Sequence, residues 1–347
     1  MPHAPLQACA VALLASLSAA AFGLDGQRAD VQDFIRQMQQ QHGFSAAQLE
    51  PLFAQVESRP SILAAISRPA EKSRPWFEYR AIFLTDRRIE RGRATAQQQA
   101  DALGKAAAGG VPADVIVAIT GVETFYGEVT GKHRVIDALA TLAFDYPPRS
   151  EFFRRELEQF LLMSREETLD PLGPNGSYAG AMGIPQFMPS SFRQYAVDGD
   201  GDGRRDLWSS WSDVFASVAN YLGRHGWRAG EPVMVTADVA GADLAGLRLD
   251  TIELTETVGS LRGRGVRFEV ALPDTAPAAL IELTGAAGPE YRVGFTNFYA
   301  ITRYNRSRMY ASAVNDLAQA ITGAAPPAVP PAVPPTPPAF SSVSTAD

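Results

Sequence analysis

Residues 116–127 read Ile-Val-Ala-Ile-Thr-Gly-Val-Glu-Thr-Phe-Tyr-Gly, with Glu123 the one charged residue. On a helix, Ile116 and Ile119 share the face of Glu123, so its carboxyl is expected to look into apolar surroundings. Burial disfavours the ionised carboxylate, at about 1.4 kcal/mol per pKa unit. A glutamate kept protonated near neutral pH is equipped as a general acid. The same setting also suits a structural glutamate paired with an arginine or with backbone amides.

Outward from this stretch the pattern stays helical. Phe153, Leu157, Phe160 and Leu161 recur at intervals of three and four, as do Val214, Val218, Tyr221 and Leu222. Upstream, Val31, Phe34, Ile35 and Met38 keep the same spacing, followed by the aromatic cluster Trp76-Phe77-Glu78-Tyr79. Beyond about residue 232 the texture changes to short β-prone runs such as 233–236, 266–270 and 291–295, separated by Gly, Pro and Asp. The expected fold is mainly α with a small β module. Its parts are a helical N-terminal domain over 24–110, a helical core that holds Glu123 over 111–231, the β-containing module over 232–296, and a return to the core with a closing helix over 297–323. Residues 324–347 form a Pro-rich tail with nothing to pack, expected to be disordered.

Residues 1–23 carry an apolar run ending in small residues, as a signal peptide does, and too short for a comfortable membrane span. The single cysteine, Cys9, sits early in that run, so cleavage near Ala21 gives a soluble, cysteine-free mature protein without a membrane span. At 347 residues with 46% hydrophobic content the chain can bury a large core. A net charge of −7 argues against nucleic acid as the main ligand.

A second motif is read from chemistry alone. Asp198, Asp200, Asp202 and Asp206 occupy positions one, three, five and nine of an EF-hand-like loop, with Gly203 at six and Arg204 at seven, where such loops use a backbone carbonyl. Hard oxygen ligands at alternate positions suit a structural Ca²⁺. Ser209 stands at position twelve, where a bidentate glutamate is expected, and Asp213 is the nearest replacement. The other reading is an acidic surface turn.

Gly-Val-Glu-Thr-Phe-Tyr-Gly at 121–127, Gly-Lys-His-Arg-Val-Ile-Asp-Ala-Leu-Ala-Thr-Leu-Ala-Phe-Asp-Tyr-Pro at 131–147, Gly-Ser-Tyr-Ala-Gly-Ala-Met-Gly-Ile-Pro-Gln-Phe-Met-Pro-Ser-Ser at 176–191 and Asn-Phe-Tyr-Ala-Ile-Thr-Arg-Tyr-Asn at 297–305 occur in order. Together they resemble the B-type lytic murein transglycosylases, periplasmic enzymes with a lysozyme-like core, over about residues 30–322. The resemblance implies cleavage of the β-1,4 bond between N-acetylmuramic acid and N-acetylglucosamine in peptidoglycan, leaving 1,6-anhydro-N-acetylmuramic acid ends. It also implies no catalytic cofactor, glycan strands as substrate and cell-wall synthesis enzymes as the class of protein partner.

Glycoside cleavage ordinarily uses two carboxylates, and this core does not advertise the second. Glu128 would point around the helix from Glu123, and Asp145 precedes Tyr146-Pro147 in a turn. In the resembling family a single glutamate acts first as acid and then as base for the sugar's own 6-hydroxyl, while the substrate's N-acetyl group stabilises C1. That role falls here on Glu123. By position in the matching motifs, Ser177, Gln186, Tyr221, Tyr304, Asn305, Tyr310 and Tyr79 resemble glycan-lining residues. Arg149 stands where the family often has adjacent arginines, but Pro148 replaces the first. His133 and His225 read as structural or surface residues. A hydrolytic muramidase on the same fold would leave reducing ends, and a non-catalytic peptidoglycan-binding protein would leave none.

Overall fold

A computed structural model describes residues 22–67 and 74–323. The predicted tail at 324–347, Cys9 and nearly all of the predicted signal peptide lie outside them. The described residues form fourteen α-helices and eight short strands. Local chemistry explains many helix ends. Ser45 and Thr257 close capping boxes with Gln48 and Ser260, and the hydroxyls of Thr85, Ser210 and Ser307 accept from Arg88, Asp213 and Tyr310 amides. Gly43 and Gly323 end their helices at φ 68° and 83°.

The helix Ala113–Thr124 runs through the middle of the molecule, starting after Pro112 and buried along most of its length. It packs against Arg308–Thr322, Asp86–Gln98, Ala100–Ala107 and Trp211–Arg224. Beside it, Val135–Asp145 packs on Ser150–Glu166 and Pro60–Ile66. Buried Asp137 accepts from Arg134 Nε at 2.8 Å and the Glu57 amide at 3.0 Å, which fastens the strand Glu57–Ser58 to this helix. Among the described residues, Phe34, Met38 and Leu49 share one core with Ile116 and Leu317.

The sheet follows in the order Met234–Ala237, Gly288–Gly294, Pro277–Gly285, Glu256–Thr257, antiparallel throughout. Strand Pro277–Gly285 separates two cores. Ala279, Ile281 and Leu283 face the main core, while Ala278 and Leu280 face a smaller one with Val258, Leu261 and Phe295. That alternation is the two-residue period of a strand covered on both sides.

A buried ion cluster ties the sheet to the helices. Asp316 accepts from Arg292 Nη1 at 2.6 Å, Arg292 Nη2 at 3.0 Å and Arg80 Nε at 2.8 Å. The Arg292 guanidinium lies 5.1 Å from the Trp76 ring, and the Trp76 indole donates to Glu290 at 3.1 Å.

Candidate active site

Glu123 sits in the last turn of Ala113–Thr124, where the chain reverses sharply. Phe125, Tyr126 and Gly127 take φ values of 53°, 58° and 85°, three left-handed residues in succession. For a non-glycine residue such a conformation costs about 1–3 kcal/mol and persists only where the surroundings enforce it. The Phe125 and Tyr126 amides donate to the Gly121 and Thr120 carbonyls, and the Tyr126 hydroxyl donates to the Arg88 carbonyl at 2.9 Å. Arg87 and Arg88 stack on the Phe125 ring, 4.9 and 4.8 Å from its centroid. Gly121 makes room for the Tyr126 ring, since a Cβ there would stand 2.6 Å from it.

The half-buried Glu123 carboxyl is met by a tyrosine. Ile116 and Ile119 are fully buried, as the sequence pattern requires. The Tyr310 hydroxyl reaches the carboxyl, 2.5 Å from Oε1. Tyr310 stacks on Tyr304 at 6.4 Å, Tyr304 packs on Tyr221 at 4.7 Å, and Tyr221 stacks on His225 at 4.1 Å. Burial first, and then the charge of Glu123, pushes the Tyr304 and Tyr310 phenols well above the usual tyrosine range. Burial pushes Tyr221 up as well. These rings therefore act as neutral donors. The Tyr304 hydroxyl donates to the Pro185 carbonyl at 2.7 Å and Tyr221 to the Arg303 carbonyl at 2.6 Å, so both are committed to backbone. Tyr79 is buried on Trp76 and Phe83 within electrostatic reach of Tyr310. Asn305 ends the helix Thr296–Tyr304.

A second wall comes from the loop 176–187. Thr124 Oγ1 donates to the Ile184 carbonyl at 2.8 Å and accepts from the Gly127 amide at 3.0 Å, joining this loop to the turn after Glu123. Gln186 has φ 54°, and its Nε2 donates to the Thr130 and Gly183 carbonyls. Ser177 Oγ accepts from the Ala179 and Ala181 amides. Ser177 and Gln186 line a groove of about 500 Å³ together with Val129, Lys132, His133 and Tyr178. The sequence reading passed over Val129, Lys132 and Tyr178 and took His133 for a structural or surface residue, although all four fall within or beside the quoted motifs. Their signal was apolar Val129 and Tyr178 among turn-forming glycines.

The other expected residues lie apart. Arg149 is on the surface, stacked on Phe152 and Phe153 at 4.4 and 5.1 Å. The two further carboxylates weighed for catalysis are held by cations. Glu128 pairs with Arg87 at 2.9 Å and Arg91 at 3.6 Å, and Asp145 pairs with Arg28 at 2.5 Å.

In the acidic loop, Asp198, Asp200 and Asp202 bring carboxylate oxygens within 4.8 Å of one another. Asp198 accepts from the Gly201, Asp202 and Gly203 amides, and these backbone donors hold its carboxyl below the usual range. Asp206 is turned to the Trp208 and Ser209 amides. Asp213 is buried beneath the loop, where Oδ1 accepts from the Gly199 amide at 2.8 Å and Oδ2 from the Asp206 amide at 2.6 Å. Asp213 thus braces the loop from below, outside the three-carboxylate cluster. Arg204 is exposed, with its amide on Asp202 Oδ1.

A family model described as the transglycosylase SLT domain matches residues 26–319. The chain belongs to this family. Membrane-bound lytic murein transglycosylase B of Escherichia coli (strain K12) is 41% identical over 302 residues, 84% of this chain and 82% of that protein. The structure of catenated lytic transglycosylase SltB1 from Pseudomonas aeruginosa is similar at a TM-score of 0.82 and 50% identity, covering 85% of this chain and 98% of that one. Escherichia coli lytic transglycosylase Slt35, solved in complex with calcium, has a TM-score of 0.79 and 41% identity, covering 89% of this chain and 98% of that one. The protein is accordingly a lytic transglycosylase with a lysozyme-like core, and peptidoglycan is its substrate. No helix among the described residues is long and apolar enough to cross a membrane.

Proposed function

We propose that Glu123 performs both proton transfers of the transglycosylase reaction. The carboxyl begins protonated and gives its proton to the glycosidic oxygen as the C1–O bond breaks. The substrate's N-acetyl oxygen bonds to C1 in place of the leaving group. The carboxylate then takes the proton of the sugar's 6-hydroxyl, whose oxygen displaces the N-acetyl oxygen from C1 and closes the 1,6-anhydro ring. No water is consumed. The observation that carries this reading is the 2.5 Å bond from Tyr310, which ties one oxygen of the carboxyl to a buried tyrosine cluster. The arginine pairs of Glu128 and Asp145 support a single-carboxylate site. Ser177 and Gln186 line the groove that continues from the turn after Glu123, which supports their role along the glycan. Mass spectrometry of products from purified peptidoglycan tests the reading: anhydro ends are expected, and matching reducing ends would mean that water is the nucleophile.

A structural Ca²⁺ in the loop is proposed alongside. Three convergent carboxylates are the hard donor set this ion takes, and Asp198, Asp200 and Asp202 would hold it. Asp213 would keep the loop shaped for the ion. Export through residues 1–23 to the periplasm as a soluble protein completes the proposal, supported by the apolar run and by the substrate. Intact-mass measurement of the periplasmic protein tests it, since lipid on Cys9 would make the protein membrane-anchored.

A further inference from the structure

The groove that Ser177 and Gln186 share offers more than a sugar needs. Val129 is 69% exposed and Tyr178 40% exposed, two of the five large hydrophobic side chains exposed among the described residues, and both line this one groove. Isolated exposed apolar residues are ordinary, but an apolar pair facing one groove marks a contact surface. At the same groove, Lys132 has no ion-pair partner among the described residues, whereas Glu128, which also lines the groove, is already paired with Arg87 and Arg91. His133 is held below the usual histidine range by burial and then by Lys132 and Arg59, so at neutral pH it supplies a hydrogen-bonding ring and not a second charge.

The walls are fixed in advance. His133 and Arg134 pair with Gly176 and Asn175, and Gln186 Nε2 is bonded to the Thr130 carbonyl at 3.0 Å. Gly131 lies so close over the Gly176 carbonyl that a Cβ would stand 2.0 Å from its oxygen. Such a groove loses little entropy when a ligand enters.

Muramic acid carries a peptide on its lactyl group, and that peptide offers carboxylates beside apolar side chains. We propose that this groove is a stem-peptide site, in which a peptide carboxylate meets the Lys132 ammonium while the apolar part of the stem lies on Val129 and Tyr178. The proposal rests on the transglycosylase reading and adds to it a preference among strands. A carboxylate also appears on stripped strands, where the lactyl group itself is free, so the two sources have to be separated.

The test compares kcat and KM on peptide-bearing strands and on strands freed of peptide by an amidase, for the wild-type chain, Lys132→Gln, Lys132→Arg and the pair Val129→Ser with Tyr178→Ala. A charge-assisted hydrogen bond of ordinary strength makes the ratio of kcat/KM for bearing over stripped strands fall about tenfold in Lys132→Gln, through KM. Lys132→Arg should restore most of the ratio, and the apolar pair should lower it. A ratio equal to wild type in Lys132→Gln overturns the proposal, as does a loss confined to stripped strands, which would assign Lys132 to the lactyl carboxylate. Absence of anhydro ends from both substrates with the wild-type chain would strike the transglycosylase reading itself, a separate result.

Discussion

The Tyr310 hydroxyl donates to Glu123 Oε1 at 2.5 Å across 187 residues of chain, joining the helix Arg308–Thr322 to the last turn of Ala113–Thr124. The hydroxyl holds one carboxyl oxygen in place, and in the proposed mechanism this orients the group that gives the proton. Tyr310→Phe keeps the ring and its stacking on Tyr304 but removes this constraint. Its kcat should fall about tenfold with KM nearly unchanged, and its stability by about 1 kcal/mol, the net value of one hydrogen bond. Equal kcat in the two proteins would separate Tyr310 from catalysis.

Glu123→Gln retains shape but can neither give nor take the proton. General acid–base assistance is typically worth about a hundred- to ten-thousand-fold, and in the proposed mechanism one group carries both halves. The loss of anhydro-muropeptide release should lie near the upper end, with strand binding retained in a sedimentation assay. Near wild-type release by this variant would end the single-glutamate mechanism.

Raised phenol pKa values have a defined effect on stability. Folding binds the Tyr304 and Tyr310 protons more tightly than the unfolded chain does, whose tyrosines ionise near 10. The stabilisation is therefore complete below about pH 10 and is lost as pH rises above it. Equilibrium unfolding should show stability falling above pH 10, less steeply in Tyr310→Phe. Activity should show no tyrosine limb below that pH.

Chelation provides a test of the acidic loop. If calcium at a hundred times its dissociation constant binds only the folded chain, it adds about 2.7 kcal/mol. Chelator or Asp200→Ala should lower Tm while turnover of the folded enzyme stays nearly constant. An unmoved Tm on chelation would leave a plain acidic turn.

Gly121→Ala tests the turn that presents the Glu123 carboxyl. The added methyl group meets the Tyr126 ring at 2.6 Å, and Tyr126 is itself locked to the Arg88 carbonyl. Overpacking of this kind costs about 1–3 kcal/mol, and displacing the turn should lower kcat as well. Full activity with an unchanged denaturation midpoint would show that the turn is not held by this contact.

Helix spacing across 150–166 and 211–224 was legible because a half-buried helix writes its apolar face at intervals of three and four. Glu123 stood out for the same reason, as a charge inside an apolar run. The Asp-Gly repeat at 198–203 announced its loop, since alternate carboxylates and a left-handed Gly203 are local requirements. What receives the Glu123 carboxyl was not legible from spacing, because a tyrosine 187 positions away reaches it only through the packing of two helices. The left-handed Phe125 and Tyr126 were hidden too, for those conformations are imposed by Arg87, Arg88 and the space at Gly121, not favoured by the residues themselves. Local chemistry thus chose the helices, the loop and the acid, while long-range packing decided the carboxyl's partner, committed the Tyr221 and Tyr304 hydroxyls to backbone, and opened the groove beside Lys132.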